Sequence, residues 1–148
     1  MVTRRRAGIT GILAAMTVAL TGCTLPAQPG PQDYVGTWRL QTASGDAAAR
    51  FEVAGDNTYT AHDIPASMAC GTEVYSGSPP GCADHRDAVD FAGKWRLSEA
   101  DAKELRFYFA DLLLRKGYRD GDELGFYTHT LDAPRPDYVF TRDPSGSR

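Results

Sequence analysis

Residues Val89-Asp-Phe-Ala-Gly-Lys-Trp-Arg-Leu97 alternate between two kinds of side chain: odd positions carry Val, Phe, Gly, Trp and Leu, and even positions carry Asp, Ala, Lys and Arg. Successive residues of a strand point to opposite faces, so this period of two predicts one buried and one wet face. Such a strand belongs in an antiparallel sheet with its apolar face on a core. The pattern recurs. Tyr34–Leu40 sets Tyr34, Gly36, Trp38 and Leu40 on one face, and Leu105-Arg-Phe-Tyr-Phe109 alternates again. Arg50–Val53 and Thr58–His62 flank Ala54-Gly-Asp-Asn57, which has hairpin-turn chemistry. Glu123–Thr130 comes after the turn residues Asp120-Gly121-Asp122, and Asp137–Arg142 closes the series. With a strand over Leu112–Tyr118 the count reaches about eight, and closing the meander into a barrel removes its vulnerable edges. The expected fold is all-β: a small antiparallel up-and-down barrel.

One segment has a competing pattern. Ser98-Glu-Ala-Asp101 has the form of a capping box, Arg115-Lys116-Gly117 that of a helix C-terminus, and Leu105, Phe109, Leu112 and Leu113 fit helical spacing between them. A hairpin is the better reading of 98–117. It gathers Leu105, Phe107 and Phe109 on one strand face, whereas a helix scatters Phe107.

The N-terminus is of a different kind. Three Arg at positions 4–6 precede Ala7–Gly22, an uncharged stretch of 16 residues. That is short for a spanning helix and has the build of a secretory signal. The whole chain carries a formal −3, but without residues 1–22 it carries 13 basic and 19 acidic groups, a formal −6. An acidic domain of this kind argues against nucleic acid as a partner. Leu20-Thr-Gly-Cys23 resembles the lipobox of bacterial lipoproteins. The resemblance implies a diacylglyceryl group on the Cys23 thiol, palmitate-type acyl chains, cleavage before Cys23, and a membrane-anchored protein on the extracytoplasmic face. Two or more acyl chains hold a protein stably on a bilayer where one does not. The Arg run also fits twin-arginine export, but the residues after it suit general secretion better. Residues 24–33 hold three Pro and one Gly and read as a disordered tether. The expected organisation is a signal helix over 1–22, anchor and tether over 23–33, the barrel over 34–143 and a flexible tail over 144–148.

Export also frames the other cysteines. Cys70 and Cys82 are an even pair in an oxidising compartment, and such pairs form disulfides. The segment Ile64–Ala88 that contains them is 25 residues long, rich in Gly, Pro and Ser, and long for a hairpin connection. Long loops on rigid scaffolds are common binding sites.

Gly36-Thr-Trp38 followed by Arg39-Leu40 resembles the Gly-x-Trp signature on the first lipocalin strand. In lipocalins that Trp closes one barrel end under an Arg of the last strand, which implies barrel-closing roles for Trp38 and Arg142. The wider pattern is similar to a group of actinobacterial lipoproteins with a lipocalin-like domain. The matching pieces are Val35–Leu40, Gly55–Thr60, Phe91–Leu97, Asp122–Tyr127 and Tyr138–Arg142. Two departures stand out. Gly-x-Trp-Arg-Leu occurs a second time at Gly93–Leu97, and the Asp-Tyr of a lipocalin middle loop stands instead at Asp137-Tyr138.

Catalytic patterns are absent. The sequence has no Gly-x-Ser-x-Gly, His-Glu-x-x-His, phosphate loop or dinucleotide fingerprint. His85, in Asp84-His-Arg-Asp87, with His62 is the best metal candidate, but no spacing enforces ligation and Arg86 opposes a cation. Asp120, Asp122 and Glu123 read as a turn rather than a carboxylate pair, and nothing joins Ser67 or Ser76 to a triad. No catalytic residue, metal or cofactor is therefore assigned. Three readings remain, the last of them a hydrolase of unknown substrate. In the first, the protein is a binding module for a small apolar ligand or lipid. Its candidate lining is Trp38, Trp95, Phe91, Phe107 and Phe126, with Tyr75 and His85 from the long loop. In the second, the same aromatics fill a solid barrel that contacts an envelope protein or the cell wall.

Overall fold

The computed structural model describes residues 28–42, 48–70, 78–129 and 131–144. The expected signal, the anchor at Cys23, the contact residue Tyr75 and the end of the tail from residue 145 lie outside them. The described chain forms eight strands: β1 Gly36–Leu40, β2 Arg50–Val53, β3 Thr58–Pro65, β4 Ala88–Leu97, β5 Glu104–Phe109, β6 Leu112–Asp120, β7 Glu123–Phe126 and β8 Tyr138–Arg142. Each pairs antiparallel with the next, and β1 pairs with β8, so the sheet closes in simple sequence order. The all-β, up-and-down barrel is the architecture the alternation predicts.

The 98–117 segment is a hairpin. Lys94 to Leu97 pair with Tyr108 to Leu105, and β5 then pairs with β6 around Ala110-Asp111. Both turn residues have left-handed backbones, φ 49° and 63°, as a two-residue type I′ turn requires. No Gly or Asn marks this turn. The capping-box residues instead build a tight connection. The Ser98 hydroxyl accepts from the Ala100 amide, and the Asp101 carboxylate accepts from that of Lys103.

Several boundaries move. β1 begins at Gly36, not Tyr34, because Gly36 takes φ 136° and breaks the extended run. Residues Pro31–Asp33, assigned to the tether, form one 3-10 turn, which the Asp33 carboxylate closes by accepting from the Gly30 amide. β7 stops at Phe126, four residues short of the expected Thr130, where Thr128 turns onto the Asp137 carboxylate. β3 runs on to Pro65 past an irregularity between Ala61 and Ile64, and a single helical turn, α1 (Ala66–Ala69), comes next. Cys70 and Cys82 are joined by a disulfide beside α1.

The inward-facing residues make one core. Trp38, Phe51, Tyr59, Trp95, Leu105, Phe107, Leu124, Phe126 and Phe140 are each at most 2% exposed. Gly93 shows why the second Gly-x-Trp needs its glycine. A Cβ there would lie 2.0 Å from the Tyr108 carbonyl and 2.9 Å from the Tyr59 ring. The bare backbone lets the Tyr59 hydroxyl donate to that carbonyl at 3.2 Å.

Candidate functional site

A barrel that takes up a ligand needs an open mouth and room on its axis, so the two ends and the interior carry the functional question. One end is where the N-terminal segment enters; the β2–β3, β4–β5 and β6–β7 turns lie at this same end. The segment seals it. Tyr34 is 0% exposed, its hydroxyl donates to the Ala102 carbonyl at 2.7 Å, and the Trp38 indole donates back to the Tyr34 carbonyl at 2.8 Å. Trp38 pairs across the ladder with Arg142, whose guanidinium donates to the Val35 carbonyl at 2.6 Å. On another wall the Trp95 indole donates to the Ala54 carbonyl at 2.8 Å. Arg119 donates to the Asp33 carbonyl and stacks over the Tyr34 ring at 5.2 Å. Burial pushes the Tyr34 hydroxyl up to about 12.

In the interior, Phe51 of β2 meets Phe107 of β5 at a centroid distance of 5.0 Å, Phe140 of β8 at 5.0 Å and Phe126 of β7 at 5.7 Å. Tyr59 of β3 meets Phe107 at 5.0 Å, edge to face. Rings from facing walls therefore touch across the axis at ordinary aromatic separations. Of the proposed lining, Trp38, Trp95, Phe107 and Phe126 belong to this packed core, and Phe91 joins its far side against Tyr59. A depression of about 260 Å³ lies near the sealed end; it is lined by residues 35–37, 52–54 and 58–60 and opens to solvent.

The far end carries the long connections, and α1 lies there. Met68 and Ala69 are buried against the core. Arg115 of β6 donates to the Met68 carbonyl at 2.6 Å, and the Ser67 hydroxyl bonds the Tyr138 hydroxyl of β8. The short helix is thus tied to β6 and β8. The same end exposes apolar side chains: Leu112 and Leu113 at the tip of the β5–β6 hairpin are 51% and 47% exposed, and Leu131 in the β7–β8 connection is 61% exposed.

The polar candidates do not converge. His85 sits exposed in the stapled loop with φ 53°, and its neighbours Asp84 and Arg86 pair with each other at 3.7 Å. His62 lies on β3, 4.0 Å from Glu52, and His129 is 3.4 Å from Asp137. Among the described residues no three His, Cys, Asp or Glu side chains are placed to share a metal. Asp120, Gly121 and Asp122 are a turn, with Gly121 at φ 59°. Glu104 is the most enclosed carboxylate among the described residues, paired with Arg106 at 2.5 Å and Lys116 at 3.6 Å. Burial alone would raise its pKa, but Arg106, Lys116 and the Tyr118 hydroxyl together hold it below the ordinary glutamate range. Its partners are all on the outer wall of the β5–β6 ribbon, a structural pairing. Sequence reasoning passed over Tyr34 as a plug and Arg115 as an inward-facing group. Neither carries a local signal, since Tyr34 continues an alternating strand pattern and Arg115 reads as a helix end.

Comparison of the chain with protein-family models, curated proteins and solved structures finds no match.

Proposed function

We propose that the protein is a lipid-anchored extracytoplasmic lipoprotein whose lipocalin-like barrel is a non-enzymatic interaction module for another protein of the cell envelope. The observation that carries this reading is the ring packing on the axis. Phe51 in contact with Phe107, Phe126 and Phe140 occupies the space a carried ligand would need. Pockets that bury small apolar ligands are typically about 300–1,000 Å³. A solid barrel works instead through its surface. An anchor at Cys23 would hold the sealed end toward the bilayer, through residues 24–30. The far end would then point outward, with Leu112, Leu113 and Leu131 exposed on it. Exposed leucines suit an apolar protein surface better than a glycan.

Two measurements test the proposal. Native mass spectrometry of the Cys23→Ser protein collected from the medium should give the bare polypeptide mass. A stoichiometric co-purified lipid would replace this reading with the carrier, and retention of that variant on the membrane would remove the anchor. A photo-crosslinker at Leu113 should give a discrete protein adduct in cells, and one at the exposed Thr60, beside the β2–β3 turn of the sealed end, should not. Equal labelling from both positions would refute a docking face at the far end.

A further inference from the structure

The far end of the barrel holds a cation that the core packing does not explain. Arg115 lies directly opposite Phe107 in the β5–β6 ladder, so it shares the inner face with a ring of the core. The ladder passes from Phe107↔Arg115 to Tyr108↔Leu113, which leaves Leu114 as an extra residue. Such a bulge re-aims neighbouring side chains and is frequent beside binding sites. Arg39, Arg50, Arg86 and Arg106 each have a carboxylate partner, and at the sealed end Arg119 and Arg142 are held by backbone carbonyls. Arg115 has no carboxylate partner among the described residues. It donates from Nε to the Met68 carbonyl and from Nη1, at 3.4 Å, to the Leu114 carbonyl. Among the described residues, three of its five N–H donors have no acceptor. Burial holds its pKa below the usual arginine range, and Tyr138 acts on it electrostatically.

Two hydroxyls share this mouth. Tyr138 lies opposite the buried Phe126 in the β7–β8 ladder and so faces inward, and its hydroxyl bonds that of Ser67. Ser67 immediately precedes Met68, the residue whose carbonyl Arg115 holds. Guanidinium, phenol and serine hydroxyl therefore meet under one turn of helix, with Ser67 exposed to solvent. A partly desolvated guanidinium is costly to leave without an anion, and a planar fork of donors matches a carboxylate.

We propose that this mouth is a binding site for a carboxylate, held by the remaining N–H groups of Arg115, with the one O–H that the Tyr138–Ser67 pair leaves free as a further donor. The single positive charge fits a monoanion better than a phosphate dianion. The proposal is independent of the interaction reading, because a carboxylate at the rim needs no lumen. Two sources share this chemistry: a small free acid, and an amphiphile whose tail would lie on Leu112 and Leu113 outside the barrel.

The test is a titration of the purified protein at constant ionic strength, following the backbone amide resonances of Met68 and residue 115, which flank the guanidinium contact, by two-dimensional NMR. The probes are sodium acetate, sodium octanoate and inorganic phosphate. The expected result is a saturable shift with acetate below about 50 mM, weakened about tenfold in Arg115→Lys and severalfold in Tyr138→Phe. Octanoate binding tighter than acetate identifies the amphiphile as the source, and equal affinity identifies the free acid. No saturable shift with either carboxylate overturns the proposal, as does a shift unchanged in both variants. Phosphate binding more tightly than acetate overturns the assignment to a carboxylate. If Arg115→Lys does not fold, Tyr138→Phe decides alone, since it removes one hydroxyl and keeps the ring.

Discussion

Replacing Phe51 by Ala tests whether the barrel is solid. Its ring is 2% exposed and packs against Tyr59, Phe107, Phe126 and Phe140, with centroids 5.0–6.0 Å away. Those partners come from four different strands, so no single side-chain rotation can refill the space. Phe→Ala changes in such cores cost about 3–5 kcal/mol, more where the site cannot collapse, and the upper half of that range is expected here. The total stability of a domain this size is about 5–15 kcal/mol, so the variant folds but is much weakened. Phe51→Leu keeps most of the volume and should lose about 1–1.5 kcal/mol. The assay is urea unfolding of the oxidised protein, with the slope checked for constancy between variants. A second readout uses the cavity itself, since engineered apolar cavities stay dry and bind benzene. Benzene-saturated buffer should stabilise Phe51→Ala and leave the parent protein unchanged. A loss below about 1.5 kcal/mol for Phe51→Ala, or a parent protein that benzene stabilises, would refute the solid core and restore a lumen.

Local chemistry sets three further outcomes. The Cys70–Cys82 disulfide closes a loop with a sequence separation of 12, for which chain entropy gives about 3 kcal/mol; the double Cys→Ser variant should lose that much in urea unfolding and should show no further loss with reductant. In the β5–β6 turn Ala110 holds φ 49°, so Ala110→Asn, which tolerates that region, should gain about 0.5–1 kcal/mol by thermal unfolding; an equal loss would refute the turn assignment. Tyr34 is raised from 10.0 to about 12 because burial disfavours its phenolate. Its contribution is therefore complete below pH 10 and is lost as the pH rises toward 12, the folded state holding the proton that the unfolded state releases. The unfolding midpoint should fall across that window, less steeply in Tyr34→Phe, and an identical fall in both proteins would separate the effect from Tyr34.

The alternation in residues 34–142 was enough to read an all-β barrel of eight strands, because one buried face admits only one register of side chains and one-residue slips are excluded. The sequence alone also paired Cys70 with Cys82, since an exported chain with that pair has few other options, and it favoured a hairpin over a helix for 98–117 through Leu105, Phe107 and Phe109, a choice that strand pairing then settled. Whether the aromatics line a space or fill it could not be read there, because a period of two says which side chains point inward and nothing about how far apart the facing walls stand. Closure set that distance, bringing Phe51 to 5.0 Å from Phe107. The same holds for the two ends. Tyr34 became a plug only when Ala102, 68 positions away in sequence, was brought to its hydroxyl. Arg115 became an inward cation only when Met68, 47 positions away, was brought to its guanidinium. Local pattern thus determined which residues are core and which are wet, and long-range closure decided what the interior and the mouth are able to hold.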